Sequence, residues 1–420
     1  MNRRAAEVGD AKIAVIGAGY VGTSIVNQLV RAPAMRPALV VNRTADRAIE
    51  AYKLAGFSAD DVVVSNDVGE LADAINAGKP AYTESFEPVA NLPIDIMVEA
   101  TGALDYGARA ILASLYAGQD VVSFNAEIDG LLAYTFHQRA KASGAIYSIA
   151  DGDQPGVILR VIQDIGGWGF HPTVALNCKR HLNVHQTPDS GAAYSERDKT
   201  SAIMTTSFGD GTKMQVEMAV VANATGMIPD VRGMHGIQTM VEKAANDIPA
   251  AITPAKMDGP GVVDFTHQGD FAAGVGVVAR HETHALVETP MRFYKMGDGP
   301  DYFFFRPYHL VHLELPLTLA DVILDREPLA TVDAPHVSEV VAMAKKDLSP
   351  GEELDCIGGF TAYGLVDTAE NAAGLLPIGL VQYAKVTGNM SQDDAISLDN
   401  VELDESVEVV KLWRAQLEMN

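Results

Sequence analysis

Residues 13–44 place the strongest constraint on what this chain can fold into. A short apolar run, Ile13–Ile16, leads into the segment GAGYVG at residues 17–22, and an amphipathic stretch follows from about Thr23 to Arg31. A second apolar run, Ala38–Val41, comes next. A G-x-G-x-x-G turn between a strand and a helix, followed by another strand, predicts the first βαβ unit of a dinucleotide-binding fold.

The three glycines of this turn have separate physical roles. Gly17 permits the tight turn, Gly19 lets the backbone approach a pyrophosphate, and Gly22 lets the helix pack closely on the strand. Free N–H groups and the positive dipole end at the start of the helix favour bound phosphates. We therefore predict cofactor contacts from Gly17, Gly19, Tyr20, Val21 and Gly22.

The end of the second strand indicates which dinucleotide is favoured. An NAD site usually carries Asp or Glu there, and that carboxylate would repel a 2′-phosphate. This chain has Asn42, Arg43 and Thr44 instead. Arg43 can pair with a phosphate and stack on adenine, while Asn42 and Thr44 offer neutral hydrogen-bonding groups. The segment favours NADP as the cofactor. In the alternative interpretation, Thr44 is an ordinary N-cap for the helix that begins near Ala45, and the two roles are compatible.

Strand and helix patterns alternate as far as about residue 152. We interpret six apolar runs as strands, at residues 13–16, 38–41, 61–65, 94–99, 120–124 and 146–150. Later helices are predicted at residues 68–77, 105–116 and 131–143. Such alternation predicts an α/β fold with a doubly wound parallel sheet, a Rossmann domain over residues 1–152.

Two loops follow strands of this sheet and carry polar residues. One contains Thr101 and Gly102, and the other contains Asn125. Ligands of open α/β sheets bind at the carboxyl ends of the strands, so we predict that these three residues contact the nicotinamide end of the cofactor. Alternatively, Gly102 and Asn125 only terminate strands as turn residues.

The whole-chain composition excludes several classes of partner. The chain of 420 residues has 31 basic and 55 acidic residues, a formal net charge of −24, which disfavours nucleic acids and anionic membrane surfaces. Cys178 and Cys356 are the only cysteines, so no disulfide framework is indicated. No long apolar segment is present in the sequence, and we expect a cytoplasmic protein.

Beyond residue 152 the regular alternation is lost. Residues 153–335 mix short apolar runs that resemble strands, such as 214–221 and 302–305, with helical patterns such as 235–245. This predicts an α+β domain for substrate binding and catalysis. Residues 336–420 have short runs interrupted by Pro and Gly, which predicts a small β-rich module, and the acidic stretch 386–420 is interpreted as a solvated face or tail.

Basic residues in glycine-rich contexts are candidates for chemistry in an acidic chain. Lys179 follows an apolar run, and Lys213 follows a glycine turn with Glu217 four residues later, on the same face of the strand predicted there. A third group comprises Lys295 and Asp298 in a glycine-rich turn, with Arg306 and His309 beyond it, an arrangement suited to binding a phosphate or carboxylate. The alternative for any single lysine is a solvated surface group.

Metal ligands are not assigned by the sequence. Histidines 281, 284 and 312 lack a Cys partner or an H-E-x-x-H pattern, which argues against zinc. The acidic candidates for Mg²⁺ or Mn²⁺ are Asp151, Asp153, Glu217 and Asp298.

Longer motifs carry a resemblance to a known family. VGEL, VEATG and VVSFNAE resemble the homoserine dehydrogenase superfamily. ADGDQPG, TSFGDGTKMQVEMAVVANATG, KMGDGPDYFFFRPYHL, AKKDLSPGEELD and LLPIGL resemble more specifically the 1-deoxy-D-xylulose 5-phosphate reductoisomerase-like proteins, in which such a fold ends in a SAF domain. The G-Y-A-E-x-D-P stretch of homoserine dehydrogenases is not evident in the sequence.

The resemblance implies an NADP-dependent oxidoreductase, a homodimer or higher homo-oligomer, that reduces a small phosphorylated or polyhydroxylated carbonyl compound. The best-known activity of the group converts 1-deoxy-D-xylulose 5-phosphate to 2-C-methyl-D-erythritol 4-phosphate, a step of isoprenoid biosynthesis, with Mg²⁺ or Mn²⁺ as a Lewis acid. Lys213 or Lys295 would then protonate the alkoxide, Glu217 would orient a lysine, and Arg306 with His309 would hold the phosphate.

Two other functions stay open at this point. One is a plain NADP-dependent dehydrogenase of another sugar, sugar acid or amino-acid semialdehyde. The other is a non-catalytic nucleotide-binding sensor whose terminal β module is an interaction surface. Oxidation of NADPH by a carbonyl substrate would separate the enzymes from the sensor.

Overall fold

The computed structural model describes residues 10–419. The chain forms two compact units. The first comprises the chain up to Gly156 together with Leu310–Ala334, and the second comprises Val157–His309 together with Pro335–Asn420. The chain therefore leaves the first unit, returns to it for a short segment, and ends in the second. The boundaries predicted from the sequence, at residues 152 and 335, stay a prediction.

The first unit is built on a seven-stranded parallel sheet. Its strands are β1 (Ala11–Ile16), β2 (Met35–Val41), β3 (Val63–Val64), β4 (Ala81–Thr83), β5 (Ile96–Glu99), β6 (Asp120–Ser123) and β7 (Tyr147–Ile149). They lie in the order β3-β4-β2-β1-β5-β6-β7, which confirms the doubly wound α/β fold. The sequence predicts six strands and misses β4. That strand has only three residues, too few to show a periodicity, although it lies buried between β2 and β3.

The second unit and its carboxyl-terminal part contain nine further strands. They are β8 (Phe170–Lys179), β9 (Ile228–Pro229), β10 (Val262–His267), β11 (Val275–His281), β12 (Asp301–Arg306), β13 (Ser338–Ala344), β14 (Ala362–Thr368), β15 (Ala384–Val386) and β16 (Val401–Leu403). The first five form one mixed sheet in the order β12-β11-β8-β10-β9. The last four form two antiparallel pairs, β13 with β14 and β15 with β16.

Fifteen α-helices connect these strands in the part of the chain from residue 10 to 419. In chain order they are α1 (Tyr20–Leu29), α2 (Ala45–Ala55), α3 (Val68–Asn76), α4 (Leu104–Tyr116), α5 (Ala126–Ser143), α6 (Gln154–Gly167), α7 (Ala192–Asp198), α8 (Ala202–Gly209), α9 (Thr212–Thr225), α10 (Ala244–Ala251), α11 (Pro254–Met257), α12 (His284–Phe293), α13 (Leu315–Ala320), α14 (Ala369–Ala372) and α15 (Glu408–Glu418). Over those same residues, none of the helices combines the length and the apolar character needed to cross a membrane.

The returning segment completes the core of the first unit. Ile13, Val15 and Val98 of the sheet pack in one buried cluster with Ile25 of α1. Leu319 of α13 belongs to the same cluster, although it lies more than 300 residues from β1 in the sequence. Non-local burial of this kind has no local sequence signature, so the sequence places residues 310–334 in the predicted substrate domain.

Helix α9 corrects a strand prediction. Residues 214–221 alternate in a way that fits a strand, yet Thr212–Thr225 is a helix between Gly211 (φ 87°) and Gly226 (φ 79°). The pattern misleads because the helix is buried on nearly all sides and therefore shows no polar face. The helix predicted at 235–245 is also displaced, since α10 begins at Ala244. The strand predicted at 302–305 is confirmed as β12.

The carboxyl-terminal part is folded as far as Glu418. Helix α15 buries Val409, Val410 and Trp413 on one face. The interpretation of the acidic stretch 386–420 as a tail is therefore wrong, whereas its acidic residues do form a solvated face, on the outer side of an amphipathic helix and the residues before it. The β-rich character is confirmed by β13–β16.

A buried ion pair joins two distant segments of the second unit. The Lys345 ammonium donates hydrogen bonds to Asp210 Oδ2 (2.8 Å), Gln186 O (2.9 Å) and Gly359 O (2.8 Å). The two side chains are 1% and 0% exposed. All three protons of the ammonium therefore have an acceptor, which offsets the cost of removing the charges from water. Burial raises the pKa of Asp210, and Lys345 opposes that rise.

We predict that Lys345→Met lowers the free energy of unfolding by about 3–5 kcal/mol, because the Asp210 carboxylate would stay buried without its counter-ion. Urea denaturation measures this change. Lys346→Met is the matched control: Lys346 pairs with Glu352 on the surface, and its loss should cost at most about 1 kcal/mol. Equal effects of the two substitutions would contradict the structural role of the buried pair.

Candidate functional site

The turn between β1 and α1 leaves no room for side chains at two glycines. Gly17 has φ 102°, and a Cβ there would lie 2.8 Å from Ala100 O. A Cβ at Gly22 would lie 1.9 Å from Gly17 O, so the first turn of the helix packs directly on the backbone of the loop. Gly19 is the N-cap of α1, has no side-chain cap, and faces open space where a Cβ would be. The amino end of α1 is therefore approachable by a ligand, as the glycine pattern predicts.

The other residues of the turn differ in exposure. Tyr20 is 81% exposed, whereas Val21 is half-buried against the core of the first unit. Cofactor contacts from Tyr20 and Val21 stay a prediction.

Asn42 ties the end of β2 to the glycine turn. Its Oδ1 accepts a hydrogen bond from Ala18 N (3.1 Å), and its Nδ2 donates to Thr44 O (2.9 Å) and Thr44 Oγ1 (3.0 Å). Thr44 is the N-cap of α2, without a side-chain cap of its own. The amide of Asn42 thus holds the two loops of the crevice together, and Arg43 between them is exposed.

The strand order places a crevice next to this turn. β1 lies between β2 and β5, and the chain runs in opposite directions across the sheet from that point, which is the switch point at which open α/β sheets bind ligands. Ala100 N donates to Ile16 O (2.9 Å), so the loop with Thr101 and Gly102 lies beside the glycine turn. Gly102 has φ 67°, a conformation that favours glycine.

A buried carboxylate supports this loop. Glu99, at the end of β5, is 0% exposed and accepts hydrogen bonds from Thr101 N (2.9 Å) and from the Thr101 hydroxyl. Burial raises the pKa of Glu99 to about 7, although Thr101 and the nearby Asn125 amide favour the charged form. Within residues 10–419, Glu99 Oε2 has no well-aligned hydrogen-bond donor. The sequence places Glu99 at the start of the loop with Thr101 and Gly102, but its burial and its raised pKa depend on the packing around it.

Asn125 and a second buried acid, Asp129, follow β6, the strand next to β5 in the sheet. Asn125 is buried and caps α5, accepting a hydrogen bond from Ile128 N (3.3 Å). Asp129 of the same helix accepts from Ser123 Oγ (3.1 Å) and from the Tyr147 hydroxyl (2.5 Å). Asn125 therefore has a structural role as a helix cap, and a cofactor contact from it stays a prediction.

In the second unit, the ends of β8 and α9 bring two predicted residues, Lys213 and Glu217, together with Asn177. Asn177 Nδ2 donates to Glu217 Oε2 (3.0 Å), and Lys213 Nζ lies 3.7 Å from Glu217 Oε1. Lys213 and Glu217 lie on one face of α9 as an i,i+4 pair, and their side chains are 16% and 2% exposed. The prediction that they share a face holds, but on a helix instead of a strand.

Lys179 lies at the edge of this group with two histidines that the sequence analysis missed. β8 and β10 run parallel with Lys179 opposite His267, and Lys179 Nζ donates to Phe208 O. Burial lowers the pKa of Lys179, while Glu217 and Asp210 raise it. Burial lowers the pKa of His267, and the neighbouring His181 and Lys179 side chains lower it further. A partly buried cationic edge of this kind attracts an anionic group.

The other predicted residues divide between two places. Arg306 ends β12 opposite Val275, which in turn lies opposite Asn177, so Arg306 and Asn177 share one face of the sheet near the same edge. The Arg306 guanidinium lies over the Tyr308 ring, with Cζ 4.9 Å from the ring centroid. His309 is the residue after Tyr308 in the sequence. Lys295 and Asp298 lie elsewhere. The hydrogen bond from Phe303 N to Met296 O (2.8 Å) places them along the outer side of edge strand β12, where Asp298 accepts from Arg292 Nε (2.9 Å).

The acidic candidates for a metal do not form one cluster. In the chain from residue 10 to 419, no group of three or more His, Cys, Asp or Glu side chains converges in a metal-binding arrangement. Asp151 accepts from Gly152 N (2.9 Å) in the first unit, whereas Glu217 pairs with Lys213 in the second. Use of Mg²⁺ or Mn²⁺ stays a prediction from the resemblance.

Comparison with known proteins supports an oxidoreductase. Residues 152–315 match the family model described as "Oxidoreductase DRL, catalytic domain", which covers less than half of the chain. No curated protein matches this sequence. The matched segment contains Lys179, Lys213, Glu217 and Arg306, so the cluster at the ends of β8 and α9 lies within the part similar to a catalytic domain.

Solved structures share parts of the fold at low identity. A scyllo-inositol dehydrogenase from Lactobacillus casei, with bound NAD(H) and scyllo-inositol, is 11% identical over 76% of this chain and 90% of that chain, with a TM-score of 0.42. The 1-deoxy-D-xylulose 5-phosphate reductoisomerase from Zymomonas mobilis, in complex with NADPH, is 15% identical over 51% of this chain and 57% of that chain, with a TM-score of 0.36. At these values neither structure decides the cofactor or the substrate of this chain.

We predict that Glu99→Gln changes how stability depends on pH. The pKa of Glu99 is raised from 4.5 to about 7 in the folded chain, so the native state retains a proton that the unfolded state releases between these values. The free energy of unfolding of the wild type therefore falls as the pH rises through this window. Glutamine does not titrate, so this contribution to the pH dependence is absent in Glu99→Gln. The stability of Glu99→Gln relative to wild type should rise by up to about 3 kcal/mol between pH 4.5 and 7.

Denaturation curves across this pH range measure the difference, and Glu87→Gln controls for a glutamine amide at an exposed position of the same unit. A difference between Glu99→Gln and wild type that stays constant from pH 4.5 to 7 would rule out a protonated, buried Glu99.

Proposed function

We propose that this chain is an NADP-dependent oxidoreductase that reduces a small phosphorylated or polyhydroxylated carbonyl compound. The observation that carries the proposal is the crevice beside β1. It combines the uncapped amino end of α1, glycines that no side chain could replace, and an exposed Arg43 where an NAD site usually has a carboxylate. The bound cofactor would supply the hydride. Residues 17–22 would hold its pyrophosphate, and Arg43 would pair with its 2′-phosphate.

The proposed reduction also needs a proton donor, and the second unit carries two lysine candidates. A hydride adds to the carbonyl carbon, and the oxygen then takes up a proton from a nearby acid. We assign that role to Lys213, because its ammonium is mostly buried and lies beside Glu217, which Asn177 holds in place. Lys295 is the weaker candidate, since it is exposed outside β12.

The cationic edge indicates the class of substrate. Lys179, with Arg306 on the same side of the sheet, provides charge for a phosphate or a carboxylate beside the imidazole of His267. Within this class we propose 1-deoxy-D-xylulose 5-phosphate as the first compound to test, on the resemblance of the long motifs. A dehydrogenase of another sugar, sugar acid or semialdehyde would use the same residues for a simple reduction. Screening phosphorylated ketoses and aldoses for loss of NADPH absorbance separates these substrates.

We predict that Arg43→Ala weakens NADPH binding by roughly ten- to a hundredfold and NADH binding far less, because a charge-assisted contact is worth about 1.5–3 kcal/mol. Titration calorimetry with both cofactors measures the two affinities. Arg31→Ala is the matched control, since Arg31 lies at the carboxyl end of α1 and bonds to Asn27. Equal weakening of NADPH and NADH by Arg43→Ala would refute the assignment of Arg43.

We predict that Lys213→Met lowers kcat by roughly a hundredfold or more while the Kd for NADPH stays near wild type, because general acid catalysis contributes about 10²–10⁴-fold. Lys295→Met is made in parallel. If Lys295→Met loses turnover and Lys213→Met retains it, the two assignments must be exchanged.

A further inference from the structure

Helix α9 carries the proposed proton donor and is held on a different face by the carboxyl-terminal part of the chain. Lys213 and Glu217 face β8. Thr212, Gln215 and Asn223 recur at helical spacing on another face of α9, and each bonds to residues beyond 335.

These contacts begin at the first turn of the helix. Gly364 N of β14 donates to Thr212 Oγ1 (2.9 Å), and Val366 N donates to Gln215 Oε1 (2.9 Å). β14 pairs with β13 alone, so these two N–H groups lie on its free edge, and the helix side chains take the place of a third strand. A Cβ at Gly364 would lie 3.1 Å from Thr212 Cγ2, which shows how closely the strand approaches the helix.

Two further contacts fix the ends of the helix. Asn223 Oδ1 accepts from Val337 N (2.9 Å) and Ser338 N (3.0 Å) near its carboxyl end. At its amino end, Asp210 Oδ1 accepts from Thr212 N (2.8 Å), while Asp210 Oδ2 accepts from the buried ammonium of Lys345 (2.8 Å). The carboxyl-terminal part therefore contacts α9 at its beginning, along its length and at its end.

We propose that residues 335–420 position the catalytic helix, with Thr212 and Gln215 as positioning residues for Lys213. This inference rests on the proposed function of Lys213. The side chains of Thr212 and Gln215 hold α9 against β14, and this fixes the Lys213 ammonium relative to Glu217 and the end of β8. The carboxyl-terminal part is then a component of the active site's support instead of a separate interaction module.

The test compares Thr212→Val with Thr212→Ser and with Thr225→Val. The valine keeps the shape of threonine and removes the acceptor for Gly364 N, whereas serine restores the hydroxyl. Thr225→Val is the matched control, because the Thr225 hydroxyl donates within α9 itself, to Val221 O (2.7 Å). We expect Thr212→Val to lower kcat by roughly ten- to a hundredfold, with the Kd for NADPH within about twofold of wild type. Thr212→Ser and Thr225→Val should stay within about threefold of wild-type kcat.

Hydrogen exchange provides a readout that does not need turnover. Amides in the first two turns of α9 should exchange at least about tenfold faster in Thr212→Val than in wild type or Thr225→Val, because the helix loses its anchor on β14. If Thr212→Val does not fold, Gln215→Met removes the neighbouring anchor and is measured in the same way.

The outcomes distinguish failure of the positioning role from failure of the proposed oxidoreductase function. Wild-type kcat in Thr212→Val, an equal loss in Thr225→Val, or unchanged exchange in α9 would overturn the positioning role. If the wild-type protein reduces no carbonyl compound, the proposed function fails, and the exchange measurement still decides whether residues 335–420 hold the helix.

Discussion

The contact between the first strand and the first helix constrains everything built around it. A Cβ at Gly22 would meet the backbone of Gly17, and a Cβ at Gly17 would meet the backbone of Ala100. This approach sets the angle at which α1 leaves β1, leaves its first N–H groups uncapped, and brings the loop after β5 against the same turn. Asn42 then closes the arrangement from the β2 side. Two missing Cβ atoms and one amide thus shape the crevice in which we propose that the cofactor binds.

In the second unit, oppositely charged side chains are buried as pairs. Lys345 and Asp210 are removed from water but satisfied by hydrogen bonds. Lys213 and Glu217 lie further apart, at 3.7 Å, and the ammonium keeps some exposure. A fully enclosed pair supports structure, whereas a partly accessible one can exchange a proton with a ligand. This contrast is why we assign the chemistry to Lys213 and the support to Lys345.

The sequence predicts those features that depend on local patterns. The glycine turn, the alternation of strands and helices in the first unit, and the shared face of Lys213 and Glu217 all follow from spacing. Features that depend on distant partners could not be predicted this way. β4 is a strand because it pairs between β2 and β3, α9 reads as a strand because burial on nearly all sides hides its period, and Leu319 joins the first core after a long excursion. The same limit applies to His267, whose position opposite Lys179 depends on the register of β8 and β10.

The central claim is that the crevice beside β1 selects a cofactor with a 2′-phosphate. Titration of the wild-type protein with NADPH and with NADH, at low and high ionic strength, tests it most directly. A guanidinium–phosphate contact predicts that NADPH binds at least about tenfold more tightly at low salt, and that added salt narrows the difference. Equal affinities for the two cofactors at every ionic strength, or no binding of either, would contradict the claim.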